Sequence, residues 1–355
     1  MSGHKTMTTI MTLLRDKHMK KTIIRGTGKA IPSRLVTNDD LAGMMDTTDE
    51  WIRQRTGIEQ RYWIPEGVEM GASDLGLEAS NIALKRAGWK PDDLDFIIFA
   101  TLSPDIFFPG SGCLLQHKLG LKSTPALDIR QQCTGFLYSL ATADSYIKSG
   151  LAEKILIVGA EVHSTGLDKT TRGRDVSVIF GDGAGAVCVE GVETDEEAGV
   201  IASVLHADGG GAEILMTELP ASRLPNRLPP EVMKNTARQY PVMNGSAVFK
   251  QALRKLPEVT KEILAQTKVR LNEIDMFFPH QANLRINQAY QQMMKIDENK
   301  VFNNIQKYGN TTAASIPMAL DDALEQNLVG KKGDTVLMFG FGAGFTWGGI
   351  LYRFI

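Results

Sequence analysis

The 355-residue sequence predicts an α/β protein in which one βα unit is used twice. Two observations predict it. Apolar runs of four to six residues alternate with longer stretches of helical spacing, the pattern of a buried sheet with helices packed on it. Segments of the first half also recur in the second at one offset. Asp95 in Leu94-Asp95-Phe96-Ile97 and Asp275 in Ile274-Asp275-Met276-Phe277 stand 180 residues apart, as do Gly150 and Gly330, each followed by a strand-like run. Repeated matches without a net gap indicate a duplication, with copies over 20–190 and 195–355.

Taken in order, residues 1–19 read as an N-terminal extension or tag, polar, mixed and without the apolar run of a signal peptide. Leu75–Ala87 has helical spacing. Phe96–Ala100 and Ala126–Ile129 read as strands. In Phe136–Ser149, the residues Phe136, Leu140, Ala143 and Ile147 fall on one helical face. Ile155–Val158, Ala184–Val189 and Val336–Phe339 read as buried strands. The offset carries the helix Phe136–Ser149 onto Ile316–Val329. Copies of this kind pack about a pseudo-two-fold axis, so the loop around Cys133 is expected to face its counterpart around Asn310–Ala313. Asp208–Pro241 breaks the pattern with Gly209-Gly210-Gly211 and five prolines. It cannot be a core element, and it reads as a functional cover or partner surface.

Composition excludes several functions. Lys plus Arg is 39 and Asp plus Glu is 41, for a net charge of −2, so a surface devoted to nucleic acid is not expected. No run approaches the length of a transmembrane helix. Three cysteines without a CxxC predict neither a disulfide framework nor a zinc ribbon, and point to a reducing, cytoplasmic compartment. The histidine spacing predicts no metal site. There is no GxxxxGK[ST], and neither glycine-rich turn fits GxGxxG between strand and helix.

Three residues carry candidate chemistry. Cys133 lies between a strand and the start of a helix, where the positive end of the helix dipole favours a thiolate; a buried structural thiol fits the same place. His280 follows the apolar run Phe277-Phe278-Pro279, at the end of a strand where α/β sheets carry their sites. Asn310 sits in a glycine-turned loop before a helix, where Asn also serves as a simple turn residue. The glycine-rich turns Phe180–Ala186 and Gly340–Gly348 expose backbone N–H groups of the kind an oxyanion hole needs; the first is equally a tight turn in which Asp182 binds backbone.

With these residues in place, the sequence resembles the β-ketoacyl-acyl-carrier-protein synthase III family of the thiolase superfamily. The resemblance runs from residue 21 to 354. It rests on Asp49-Glu50-Trp51-Ile52, Arg55-Thr56-Gly57-Ile58, Cys133-Thr134-Gly135-Phe136, FGDGAGA at 180–186, PHQANLRI at 279–286, YGNTTAAS at 308–315 and GFTWG at 344–348. It implies a thiolase-like duplicated fold, two βα repeats in a five-layered α-β-α-β-α arrangement. It also implies decarboxylative condensation of an acyl-CoA with malonyl-acyl carrier protein, with Cys133, His280 and Asn310 catalytic. The backbone N–H groups of Cys133 and Ala343 would form the oxyanion hole. Thr47, Trp51, Arg55, Arg174 and Asn283 would bind CoA, with Trp51 and Arg174 sandwiching the adenine. Phe108 would line the acyl pocket by reaching across a homodimer, and Lys250 and Arg285 would dock the carrier protein. No metal or redox cofactor is implied. Gln131-Gln132 before Cys133, Ala343 and the long 208–241 segment depart from the family pattern. They leave room for a secondary-metabolism relative performing non-decarboxylative condensation or acyl transfer. A non-catalytic acyl-thioester-binding partner subunit is the alternative of another class.

Overall fold

Burial on both faces of the central strands sets the architecture of the computed structural model, which describes residues 20–230, 234 and 236–355. The expected extension over 1–19 lies outside them. In β6 (Lys154–Glu161), Ile155 and Ile157 face one layer of helices while Leu156 and Val158 face another. A strand buried on both faces needs helices on both sides, and two such sheets stack here.

The first sheet has the order β1 (Lys21–Ala30), β7 (Gly183–Val192), β6, β4 (Phe96–Ala100), β5 (Ala126–Ile129). The second has β8 (Gly199–Ala207), β13 (Thr346–Arg353), β12 (Thr335–Gly342), β11 (Met276–Pro279). Position by position the pairings agree: antiparallel, antiparallel, then parallel. Val301 bridges Phe277 in parallel where the first sheet has β5. The repeated aspartates do one job twice. Asp95 accepts hydrogen bonds from the Glu153 and Lys154 N–H groups, and Asp275 from Thr335 N–H, fastening the start of β6 and of β12.

Seven helices are used below: α1 (Asp49–Thr56), α2 (Ala72–Ala87), α3 (Ser111–Lys118), α4 (Gly135–Ser149), α5 (Gly245–Thr267), α6 (Leu284–Met294) and α7 (Ser315–Glu325). Between the sheets lie α4 and α7, where Phe136, Leu140, Ile316 and Leu320 meet Ile98, Ile157, Phe278 and Met338. Outside the first sheet are α2 and α3, through Leu75, Ala79 and Leu115. Outside the second are α5 and α6, through Val259, Ile263 and Tyr290. The result is the five-layered α-β-α-β-α order. One element is shorter than the offset predicts. The second central helix ends at Glu325, four residues before Val329, because Asn327 takes a left-handed φ of 55° and turns the chain out. The described part of Asp208–Pro241 stays out of the core, holding a 3-10 turn over Gly209–Ile214 and β9 (Leu215–Met216), which pairs with β10 (Val242–Met243).

Candidate active site

The strained turns before α4 and α7 bring the two halves together. Gln132, next to Cys133, has φ 43°, and Thr312, 180 residues on, has φ 49°. Left-handed backbone at a non-glycine residue costs about 1–3 kcal/mol, and for a β-branched threonine it is an outlier. Both copies retain it at the mouth of the central helix. The two turns abut: a Cβ placed on Gly135 would stand 3.2 Å from the Ala313 Cβ.

β12 runs past both the sulfur and the imidazole. A side chain at Gly342 would collide with the Cys133 Cβ and stand 2.8 Å from Sγ. One at Gly340 would stand 3.1 Å from the His280 Cβ and 3.6 Å from the Cys133 carbonyl oxygen. Cys133 and His280 therefore share one glycine-cleared stretch of backbone, which allows the close approach.

Burial decides the charge states. The Cys133 thiol is pushed up to about 12, mainly by desolvation and further by the nearby Glu161 carboxyl. The Ala343 and Cys133 backbone N–H groups face the sulfur and pull the other way, but they do not win. Burial at this helix start therefore opposes the thiolate that the helix dipole favours. The two N–H groups are the pair assigned to the oxyanion hole. Glu161 ends β6 and is itself raised to about 7 by burial, while accepting from Thr101 Oγ1 at 3.1 Å, Ser103 Oγ at 2.5 Å and the Leu102 N–H at 3.2 Å.

His280 is buried and its ring is lowered to about 3 by desolvation, so it is neutral. Its Nδ1 lies 2.6 Å from Ser315 Oγ. That hydroxyl oxygen also accepts the Gln281 N–H at 3.4 Å and keeps its own proton available to donate to Nδ1. In the tautomer where Ser315 donates to Nδ1, the ring proton resides on Nε2, a buried atom without a hydrogen-bond partner among the described residues. Asn310 is pinned by its backbone, N–H to the Ile179 carbonyl at 2.9 Å and carbonyl to the Gly181 N–H at 3.1 Å. Its Oδ1 accepts the Thr312 N–H at 2.9 Å, which leaves the Nδ2 donors for other use. The site brings a candidate nucleophile with two backbone N–H groups facing it, and adds two side chains with spare donors from the opposite half.

The glycine-rich turns divide their roles. Gly340–Gly348 wraps the sulfur. In Phe180–Ala186, Asp182 accepts from Ile64, His163 and Ser164 N–H groups at 2.7–2.9 Å and so bolts loops together. That is the tight-turn reading of this motif. A cavity of about 390 Å³ opens beside Cys133, lined by Leu102, Val162, Leu167, Phe180, Leu215, Ala343 and others. Part of its wall comes from Ala212, Leu215, Met216, Thr217, Gln239 and Pro241, so the Gly/Pro-rich segment covers this cavity. His280 and Asn310 are not among its lining residues.

Away from the sulfur, the residues expected to bind CoA cluster at one rim. The guanidinium carbons of Arg55 and Arg174 lie 4.2 and 4.6 Å from the Trp51 ring centroid. Arg174 thus rests on the indole directly, and the expected sandwich requires it to swing away. Thr47 Oγ1 is buried without a hydrogen-bond partner among the described residues. Asn283 caps α6, accepting the Arg285 N–H at 2.9 Å, and donates to the Arg55 carbonyl at 2.9 Å, so it joins α1 to α6. Lys250 and Arg285 are both exposed, on α5 and α6, with Arg285 5.9 Å from the ring of Phe249. Phe108 does not line the cavity of its own chain; it is 74% exposed. Sequence reasoning did not single out Glu161, His163 or the role of Ser315. Ser315 lies inside a motif noted for its asparagine, and the strand-end Glu161 was its own signal.

Among the described residues no group of His, Cys, Asp and Glu is placed to hold a metal, and no helix is long and apolar enough to cross a membrane. The family described as 3-oxoacyl-[acyl-carrier-protein (ACP)] synthase III matches residues 127–209, and its C-terminal counterpart matches residues 264–354. A beta-ketoacyl-[acyl-carrier-protein] synthase III of Caldanaerobacter subterraneus subsp. tengcongensis is 42% identical over 324 residues, spanning 91% of this chain and 95% of the relative. One of Natranaerobius thermophilus is 41% identical over 336 residues, spanning 94% and 100%. The crystal structure of 3-oxoacyl-[acyl-carrier-protein] synthase III from Aquifex aeolicus aligns with a TM-score of 0.84 at 40% identity, covering 94% of this chain and 100% of that one. With the paired turns, the glycine-cleared strand and these relatives together, the chain belongs to the 3-oxoacyl-[acyl-carrier-protein] synthase III family.

Proposed function

We propose that this chain condenses an acyl-CoA with malonyl-acyl carrier protein, giving a 3-oxoacyl-acyl carrier protein, free CoA and CO₂. The observation that carries the reading is the placement of the Cys133 sulfur. It faces the Ala343 N–H at the wall of a largely apolar cavity, while from the opposite half His280, against the same glycine-cleared strand, and Asn310 hold donors to spare.

In the first half-reaction the Cys133 sulfur attacks the thioester carbonyl, the CoA–sulfur bond breaks, and the thiol proton leaves with the CoA sulfur. Thiol replaces thiol, so a resting pKa of about 12 needs no net proton acceptor. The Cys133 and Ala343 N–H groups hold the tetrahedral oxyanion; losing one such donor costs about 10²–10³ in rate. In the second, the malonyl carboxylate leaves as CO₂ and its electron pair becomes an enolate. His280 Nε2–H and Asn310 Nδ2–H hydrogen-bond that oxygen, for which neutral donors suit. The enolate carbon attacks the acyl carbonyl, the carbon–sulfur bond to Cys133 breaks, and the expelled thiolate takes a proton from water to restore the thiol. No metal or redox cofactor enters these steps.

Thr47, Trp51, Arg55 and Arg174 hold the nucleotide end of CoA, Asn283 lies near its pantetheine arm, and Lys250 and Arg285 meet the acidic carrier protein. A homodimer in the cytoplasm completes the reading, with Phe108 entering the partner's acyl pocket. The test uses acyl-CoA and malonyl-acyl carrier protein labelled in the free carboxyl. Label appearing as CO₂ in step with a 3-oxoacyl-carrier product supports the reading. A condensed product that keeps the label, or transfer of the acyl group without condensation, overturns it.

A further inference from the structure

The cavity at Cys133 shares a wall with a second hollow. The outer groove, about 630 Å³, is lined by residues between Gly209 and Arg223. Ala212, Met216 and Thr217 line both spaces, whereas Leu215 lines only the inner one. The partition is held at its two ends. The Asn244 N–H donates to the Ile214 carbonyl at 2.8 Å, β9 and β10 pair Met216 with Val242, and Arg238 grips Glu218 with bonds of 2.5 and 2.6 Å. Between these anchors only Met216 has a long, unbranched, flexible side chain; Ala212 has nothing to move, and Thr217 is short and stiff.

We propose that Met216 is the gate that sets acyl-chain length, and that the outer groove is the subsite for the far end of longer acyl thioesters. The proposal rests on the reading of the inner cavity as the acyl site of Cys133. A chain bound at the sulfur extends through apolar Leu102, Val162, Leu167 and Leu215 and meets the thioether at the partition. When the methionine side chain turns aside, the distal methylenes pass into the groove. Its wall mixes small Gly209, Gly210 and Ala221 with polar Glu213, Ser222 and Arg223, which suits a chain end that emerges into water.

The test loads the protein with an equimolar mixture of straight-chain acyl-CoAs, from butanoyl to tetradecanoyl, and reads the acyl masses on the Cys133 peptide. The measured quantity is the ratio of long to short acyl-enzyme within one sample, so a partial loss of folded protein cancels. Each methylene newly accommodated is worth about fourfold in relative loading, and trimming methionine to alanine makes room for about three. Met216→Ala therefore raises the dodecanoyl-to-butanoyl ratio by about tenfold or more, and Met216→Trp lowers it. If both variants keep the wild-type ratio, the gate is overturned. If the wild-type protein takes up no acyl group of any length, the reading of Cys133 fails first, and the gate with it.

Discussion

His280 and Cys133 are both held uncharged, by burial acting on opposite kinds of acid. The imidazole is lowered to about 3 and the thiol raised to about 12, so neither titrates between pH 5 and 9 in the resting protein. Alkylation of the Cys133 peptide by iodoacetamide should therefore rise about tenfold per pH unit from 7 to 10 without levelling; a plateau below pH 9 contradicts the buried-thiol account. Ser315 acts through His280. Ser315→Ala removes the donor that keeps the proton on Nε2, and malonyl decarboxylation should fall about tenfold or more while Cys133 acylation changes less than about twofold. Ser315→Thr should restore most of the loss. Equal losses in both half-reactions would mark mere destabilisation. At this scale Cys133, His280 and Asn310 were legible because thiol, imidazole and carboxamide stood at the ends of recognisable runs. Ser315 and Glu161 were not, because a hydroxyl or a carboxyl acquires its role only from the group that folding places beside it.

Among elements, β12 is the one both halves of the site depend on. Gly342→Ala puts a methyl group into the Cys133 side chain, so strand and turn must part. Overpacking of this kind costs about 1–3 kcal/mol, which urea or thermal unfolding would show. Acylation should drop by about a hundredfold, and a variant acylated at the wild-type rate would contradict the close approach. The five strands read from apolar runs were legible to within a few residues, whereas β1 and β8, mixed in polarity, were not singled out. The end of α7 was not, since Gln326–Val329 contains no glycine or proline and the break comes from the left-handed Asn327. Strain at Gln132 and Thr312 was equally hidden, because neither residue type announces a positive φ.

For the whole molecule, the 180-residue offset foretold the matched sheets, the paired aspartates and the facing turns. Periodicity alone did not give the five layers, which follow from helices covering both faces of each sheet. Among the described residues, Ile106, Phe107 and Phe108 stand 49, 51 and 74% exposed in succession. A homodimer that buries them should sediment at twice the 38.9 kDa chain mass, and Phe108→Asp should shift it toward monomer; a wild-type monomer at micromolar concentration contradicts this. The most direct measurement of the account is the mass of the Cys133 peptide through one reaction cycle. Acyl-CoA alone should add one acyl group to Cys133, and malonyl-acyl carrier protein should then discharge it as a 3-oxoacyl product. An acyl mass on another residue, or an acyl-Cys133 that malonyl-acyl carrier protein leaves in place, would contradict it.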